Sequence, residues 1–341
     1  MTGRVVVSRD ERLDVIKTLI ALVRSDRDPH AAGAWAEKRW GSANRPHYIE
    51  RAGGVLSSGE IGAENLMDTA LFSAVREQAI LFRLNGIRRT SFNTRSLTVS
   101  GTVANWIGEG APTPFYKPTF DPRGLDPYKL GAGTVATKEA LDKGRDVEKT
   151  IFAELTRAIV DELDATFLDP TNAGIADVTP AAVTYDAAST AATSDPVADL
   201  KALVEAFGGN LRTSYFTMNS KTAARLAGTE IGRDIGIRGG ELLGAPVLTS
   251  EAGPATSIAL IDPTGIQAAH DDNIMLSSSE AGAIEVDEEP TQDAMTATGA
   301  QLVSLFQLNL MGFKGKLAAS WQRAEPGSVA VLEGGASDWL A

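Results

Sequence analysis

The chain has 341 residues, 43% of them hydrophobic and 22% charged, with a formal net charge of -12 and a pI near 4.8. Cysteine is absent, which excludes disulfides, cysteine-ligated zinc and thiolate catalysis. The acidic balance gives no bulk attraction to a phosphate backbone, and the three histidines, His30, His47 and His270, lack metal-ligand spacing.

This apolar content suits one large or two modest cores. No run approaches the roughly 18 to 20 apolar residues that span a bilayer. The opening MTGRVVVSRDER lacks the apolar core and cleavage site of a secretory signal. A soluble chain with no cofactor, no metal and no membrane partner is expected.

Residues 10–24 predict an amphipathic helix, with Leu13, Ile16, Leu19, Ile20 and Val23 at helical spacing and Asp10 and Glu11 in the first turn. Beyond Ser25 the pattern lapses into a polar stretch with Gly, Pro and isolated tryptophans. It reads as a linker, a partner-ordered arm or plain surface. From Gly53 the chain begins extended and then turns helical, with a stripe of Met67, Leu71, Ala74, Val75 and Ile80. The following NGIRRTSFNTRSLTV suits a strand.

Residues 99–137 are rich in Gly and Pro and carry Trp106, Phe115, Tyr116, Phe120 and Tyr128. The run is far longer than an ordinary connection of about four to six residues, and proline confines strands to edges or bulges. A long two-stranded excursion is predicted, its aromatic face buried by a neighbouring copy.

A long helix follows. Val147, Ile151, Leu155, Ile159, Leu163 and Phe167 stand at steps of four, a row that winds slowly because four residues overshoot a turn by about 40°. Asp146 is a candidate N-cap, and Asp169-Pro170 ends the helix. At about 1.5 Å per residue it measures roughly 33 Å, the natural spine of a domain. An Ala/Thr/Ser stretch (171–194) precedes a second α/β unit. There DPVADLKALVEAFGG predicts a Pro-primed helix, SYFTMN a strand, and SKTAARLAG a helix capped by Ser220. LLGAPVLTSEAG and SIALIDPTGI predict two more strands. In the closing segment Phe306, Leu308 and Leu310 alternate with Gln307 and Asn309, and Phe313 and Leu317 with Lys314 and Lys316, which predicts one long strand.

Phrases from five regions, in this order, resemble the tailed-bacteriophage major capsid proteins of the HK97-like fold family. GGVLSSGEIGAENLMDTALFSAVREQ is similar to the N-terminal arm and TVANWIGEGAPTPFYKPTF to the extended loop. VEKTIFAELTRAIVDELDATFL is similar to the spine helix. SYFTMNSKTAARLAG, LLGAPVLTSEAGP and IALIDPTGI are similar to the axial domain, and SLFQLNLMGFKGKLAASWQR to the closing strand. The resemblance runs from about residue 53 to 332. It implies an α+β fold with a peripheral domain holding the spine helix and an inserted α/β axial domain. The expected divisions are 1–52 as an extension or scaffold-like segment, 53–98 as arm and start of the peripheral domain, and 99–137 as extended loop. Residues 138–194 form the peripheral domain, 195–290 the axial domain, and 291–341 the return and tail.

The implied function is a non-enzymatic, structural one. Copies form hexamers and pentamers that close into an icosahedral head around double-stranded DNA, with a portal and decoration or scaffold proteins as partners. The protein would reside in the virion after assembly in the host cytoplasm. Trp106, Ile107, Glu109, Phe115, Tyr116, Phe120 and Tyr128 are the implied inter-subunit contacts, with Trp321 and Arg323 at the end of the peripheral sheet. Some family members join subunits by a lysine–asparagine isopeptide bond assisted by a glutamate. Here Lys117, Lys129 and Asn309 are present, but residues 301–323 contain no Asp or Glu, and the assisting position falls near Lys314. A lysine there repels the attacking amine and cannot act as its base, so noncovalent assembly is expected.

Two rivals remain. A nanocompartment shell of the encapsulin kind shares the fold and encloses a cargo enzyme. A soluble α/β enzyme would draw on GAGTVA (131–136) as a dinucleotide fingerprint, but DPYKL is not a buried strand feeding a phosphate turn. Ser277-Ser278-Ser279 and Asn219-Ser220-Lys221 read as turn and cap residues, His270-Asp271-Asp272 as a solvated loop, and the acidic run 285–293 as a solvated hinge.

Overall fold

A computed structural model describes residues 9–25, 28–41, 63–93, 96–100, 119–143, 147–286 and 301–334. The chain divides into two compact units. One comprises Met1–Gln78, Leu130–Val160 and Asp272–Leu317; the other comprises Ala79–Lys129, Asp161–Asp271 and Ala318–Ala341.

In the first unit, helix α1 (Arg9–Arg24) matches the predicted amphipathic segment. It buries Ile16, Leu19 and Ile20. The polar stretch after it is not simply a linker, because Pro29–Trp40 forms a second helix, α2. Proline suits the first helical position, and four alanines are the strongest helix formers. Ala21, Ala32 and Ala36 make a close-packed seam between α1 and α2. The two tryptophans that look isolated in sequence, Trp35 and Trp40, meet edge to face at 5.3 Å. Trp40 also donates through Nε1 to Glu148 Oε1 at 3.3 Å, and Arg39 Nη2 donates to the Leu141 carbonyl at 3.0 Å.

Helix α3 (Ala63–Gln78) buries Leu71, Ala74 and Val75, as its stripe predicts. Strand β15 (Leu310–Arg323) begins in this unit. It buries Phe313 and Leu317 and exposes Lys314 and Lys316 between them. Strand β12 (Met275–Ser279) pairs with it in antiparallel register, Ser278 opposite Phe313, and β4 (Tyr128–Thr137) pairs with it as well. A Cβ on Gly315 would meet Ile274, Ile159 and Leu71 at 3.4 to 3.5 Å. These are ordinary van der Waals distances, so the site has room for a methyl group and little more.

The spine helix α6 (Val147–Leu168) has the predicted extent and buries Ile151, Leu155, Ile159, Leu163 and Phe167. Asp146 lies outside the described residues.

The second unit is built on a seven-stranded sheet. In chain order its strands are β5 (Ala188–Ala191), β6 (Tyr215–Asn219), β7 (Ile235–Gly236), β8 (Gly239–Leu242), β9 (Ala245–Ser250), β10 (Ile258–Ile261) and β16 (Val329–Glu333). Their spatial order is β5-β16-β10-β6-β9-β8-β7. Leu200 and Leu203 of helix α7 (Pro196–Ala206) pack against Phe216, Met218, Leu260 and Leu332. Asp195 caps α7 by accepting the Val197 N–H at 2.9 Å. Helix α8 (Ser220–Leu226) is capped by Asn219, not Ser220. Asn219 Oδ1 accepts the Lys221 N–H while its amide donates to the carbonyls of Glu251 and Gly253, and the single hydroxyl of serine could not make all three bonds.

Several elements depart from the sequence reading. Residues 188–191 of the Ala/Thr/Ser stretch and the last strand, β16, both enter the seven-stranded sheet, pairing in parallel. Strand β11 (Ile266–His270) pairs instead with the end of β15 and with β1 (Arg88–Arg89). The serine run 277–279 lies within β12, not in a turn. The GAGTVA run lies inside β4, so its glycines extend a strand and form no phosphate-binding turn. The predicted single closing strand is broken. Residues 301–304 form β14, antiparallel to β13 (Ala283–Val286), and 305–309 form a turn in which Asn309 takes φ 53°. Asparagine tolerates that left-handed backbone, whereas alternation alone cannot reveal it.

Candidate assembly surfaces

Of the inter-subunit candidates, Trp106, Ile107, Glu109, Phe115 and Tyr116 lie outside the described residues. Strands β2 (Ser96–Ser100) and β3 (Thr119–Arg123) stand on either side of residues 101–118, which lie outside the described residues. They pair in antiparallel register, with Phe120 opposite Val99. Tyr128 opens β4 and is half-buried, and β4 pairs with β15, so residues 128–137 belong to a sheet.

Trp321 sits near the end of β15, opposite Ala268. Its ring meets Phe167 edge to face at 5.3 Å, and its Nε1 donates to the Ala181 carbonyl at 2.9 Å. Arg323 donates to the carbonyls of Tyr185 and Asp186 at 2.6 and 3.0 Å. Both side chains therefore tie the loop after the spine helix to the end of β15, where it pairs with β11.

Several buried or half-buried ionisable groups among the described residues are held by hydrogen bonds or ion pairs. Asp164 is buried on the spine helix and accepts the Ile80 N–H at 2.8 Å. Burial raises its pKa from 3.8 to about 6, against the hydrogen bonds from Ser250 and Ile80 and the nearby Arg83 charge. Burial also pushes Asp262 upward, yet the hydrogen bonds it accepts from Asn210, Thr264 and Thr213 prevail and hold it below the ordinary carboxylate value. In the first unit Glu280 receives Lys138 Nζ at 2.8 Å and Arg24 Nε at 3.5 Å. His270 meets Phe82 edge to face at 5.0 Å. Among the described residues no group of His, Asp and Glu has the geometry to hold a metal ion, and no helix is long and apolar enough to cross a membrane.

The exposed apolar residues stand out instead. Phe306 is 80% exposed and Leu308 59% exposed, both on the turn between β14 and β15. Sequence alternation places them on a buried strand face; the turn turns them outward. Ile175 and Val178 are exposed on the loop after the spine helix. Nearby in that second unit lies an open cavity of about 480 Å³, lined by Ala165, Ala252 and Pro254 together with the carboxylates of Glu162 and Asp169.

A sequence profile of the phage capsid family matches residues 59–296. The "Capsid polyprotein" of Pseudomonas phage PAJU2 is 33% identical over 298 residues, which are 80% of this chain and 44% of that protein. The chain thus spans less than half the length of this relative. Among solved structures, a chain of Mycobacterium phage Ogopogo aligns with a TM-score of 0.53 at 16% identity, covering 75% of this chain and 92% of the other. One from Gordonia phage Cozz aligns with a TM-score of 0.52 at 17% identity, covering 75% and 86%. At such identities the structures speak for fold and the profile for family. The chain belongs to the phage capsid family, and its α+β architecture is the HK97-like capsid fold.

Proposed function

We propose that this chain is a shell subunit that self-assembles as hexamers and pentamers into an icosahedral phage head enclosing double-stranded DNA. The observation that carries the reading is the family match, which runs from helix α3 through the spine helix and most of the seven-stranded sheet. Physical features support it. The net charge of -12 suits a wall that contains DNA without gripping it. The antiparallel β2–β3 pair supports an extended loop whose aromatic residues, Trp106, Phe115, Tyr116 and Phe120, lie against a neighbour together with Ile107, Glu109 and Tyr128. In this reading the second unit's sheet corresponds to the axial domain, and the sheet around β15 to the peripheral one.

The shell is held by noncovalent contacts. Residues 301–323 offer no carboxylate base beside Asn309, and Glu280 is already paired with Lys138 and Arg24. A portal and decoration or scaffold proteins complete the head, which assembles in the host cytoplasm and persists in the virion. The test is to recover particles from cells infected with the phage that encodes the chain and assay their contents. Nuclease-protected double-stranded DNA, with subunits running as monomers on a denaturing gel, is expected. A packaged cargo enzyme without DNA would move the protein to the nanocompartment class, and covalent ladders would overturn the noncovalent reading.

A further inference from the structure

Asn85-Gly86 is the sequence's only Asn-Gly pair; every other asparagine is followed by a residue that bears a side chain. The pair forms the turn between the helix Ile80–Arg83 and β1, and both residues are exposed. Gly86 takes φ 111°, a backbone conformation that glycine adopts without steric cost. Its N–H makes none of the turn and loop hydrogen bonds among the described residues. The Asn85 amide is held loosely: Nδ2 donates to Tyr215 Oη at 3.4 Å, longer than an ordinary hydrogen bond.

Two other asparagines of the same unit are locked by contrast. Asn219 Oδ1 accepts the Lys221 N–H at 2.9 Å, while its Nδ2 donates to the carbonyls of Glu251 and Gly253 at 3.0 and 2.7 Å. Asn172 Oδ1 accepts the Gly174 N–H at 2.9 Å, and its Nδ2 donates to the carbonyls of Thr166 and Pro180 at 3.1 and 3.4 Å. Neither side chain can swing onto the next backbone nitrogen without breaking those bonds. Ala173 and Ser220 also carry a Cβ beside that nitrogen, where Gly86 has none.

We propose that Asn85-Gly86 is a self-modifying site, at which the folded chain converts Asn85 to aspartate and isoaspartate with water as the co-reactant. The Gly86 nitrogen attacks Asn85 Cγ and closes a succinimide ring. The Gly86 N–H proton passes to solvent, and Nδ2 takes up a proton and leaves as ammonia. Water then adds to one of the two ring carbonyls. Opening at Cγ gives aspartate; opening at the Asn85 backbone carbonyl gives isoaspartate, whose main chain runs through Cγ. No atom is oxidised or reduced. Either product replaces the donor to Tyr215 by a carboxylate. It also sets a negative charge three residues before Arg88, which pairs with Glu325 at 3.6 Å. The modification needs only the folded chain and stands apart from the shell reading.

The experiment keeps the full chain for weeks in warm, neutral buffer and maps its peptides by mass spectrometry, with an isoaspartyl methyltransferase as the probe for isoaspartate. The Asn85 peptide should give two products of equal mass, and the intact chain should gain an isoform more acidic by a single charge. The Asn172 and Asn219 peptides should convert roughly tenfold more slowly or less, since each side chain must first lose several hydrogen bonds. Asn85→Gln keeps an amide at an exposed position but closes the larger ring poorly, and should lose the acidic isoform. If that variant does not fold, the wild-type peptide map decides alone. An Asn85 peptide that keeps its amide would overturn the proposal. So would equally fast conversion of Asn172 or Asn219, or an acidic isoform that persists in the folded glutamine variant.

Discussion

The carboxylate of Asp164, in the middle of the last turns of the spine helix, accepts the backbone N–H of Ile80 at 2.8 Å. Ile80 opens the short helix α4 (Ile80–Arg83), whose first N–H groups have no partner within the helix. The bond joins two elements far apart in sequence, and it does so at an electrostatic cost. Burial raises the Asp164 pKa to about 6. A carboxyl with a raised native pKa contributes stability that is full below its unfolded value and is lost as pH rises through the native one. Thermal unfolding should therefore show a contribution that declines between pH 4 and about 6. Asp164→Asn keeps an oxygen for Ile80 and should remove this slope. A shift of this size is worth up to about 3 kcal/mol. Asp164→Ala orphans a buried N–H and should destabilise by about 1 to 3 kcal/mol.

Asp262 predicts the opposite pH dependence. Its Oδ1 accepts from Thr213 and Thr264 and its Oδ2 from Asn210, which lowers its pKa against the effect of burial. Its contribution is present at neutral pH and is lost as pH falls through the depressed value. Asp262→Ala should cost about 3 kcal/mol, since it strands several donors. The loss should shrink in acid, which a pH series of melting curves would read.

Helices α1 and α2 pack within the first unit. Ile20 is buried, and Arg24 reaches Glu280. Ile20→Ala should cost about 2 to 4 kcal/mol, as for other buried aliphatic truncations. Arg24→Ala should cost under about 1 kcal/mol, because the pair is partly solvated. Hydrogen exchange on the full chain should show amides of residues 16–21 protected; exchange at the rate of unstructured chain would contradict this placement.

Gly315 tests the close approach of β15 to the helices. Ordinary van der Waals distances surround a virtual Cβ there. Gly315→Ala should be nearly neutral, while Gly315→Val should overpack the Leu71, Ile159 and Ile274 contact and cost about 1 to 3 kcal/mol. Denaturant melts of the two variants separate these outcomes.

What was legible in the sequence was what periodicity and capping chemistry encode. The spine helix, α1, and the Phe313/Leu317 strand each carry a long regular apolar pattern, and each forms as read. Helix α2 was missed because its stability comes from alanine and from two tryptophans that find each other and Glu148 only in three dimensions. The 305–309 turn was missed because F-Q-L-N-L satisfies a strand pattern, while the deciding fact is one residue with positive φ. Membership of β5 and β16 in one sheet depends on pairing between residues more than a hundred positions apart, which no local pattern records. The exposure of Phe306 and Leu308 follows from the same turn, and no local sequence pattern records it.

Particle imaging of the purified full-length chain tests the central claim most directly. Closed icosahedral shells built from hexamers and pentamers are predicted. A stable monomer that persists at high concentration would contradict the account.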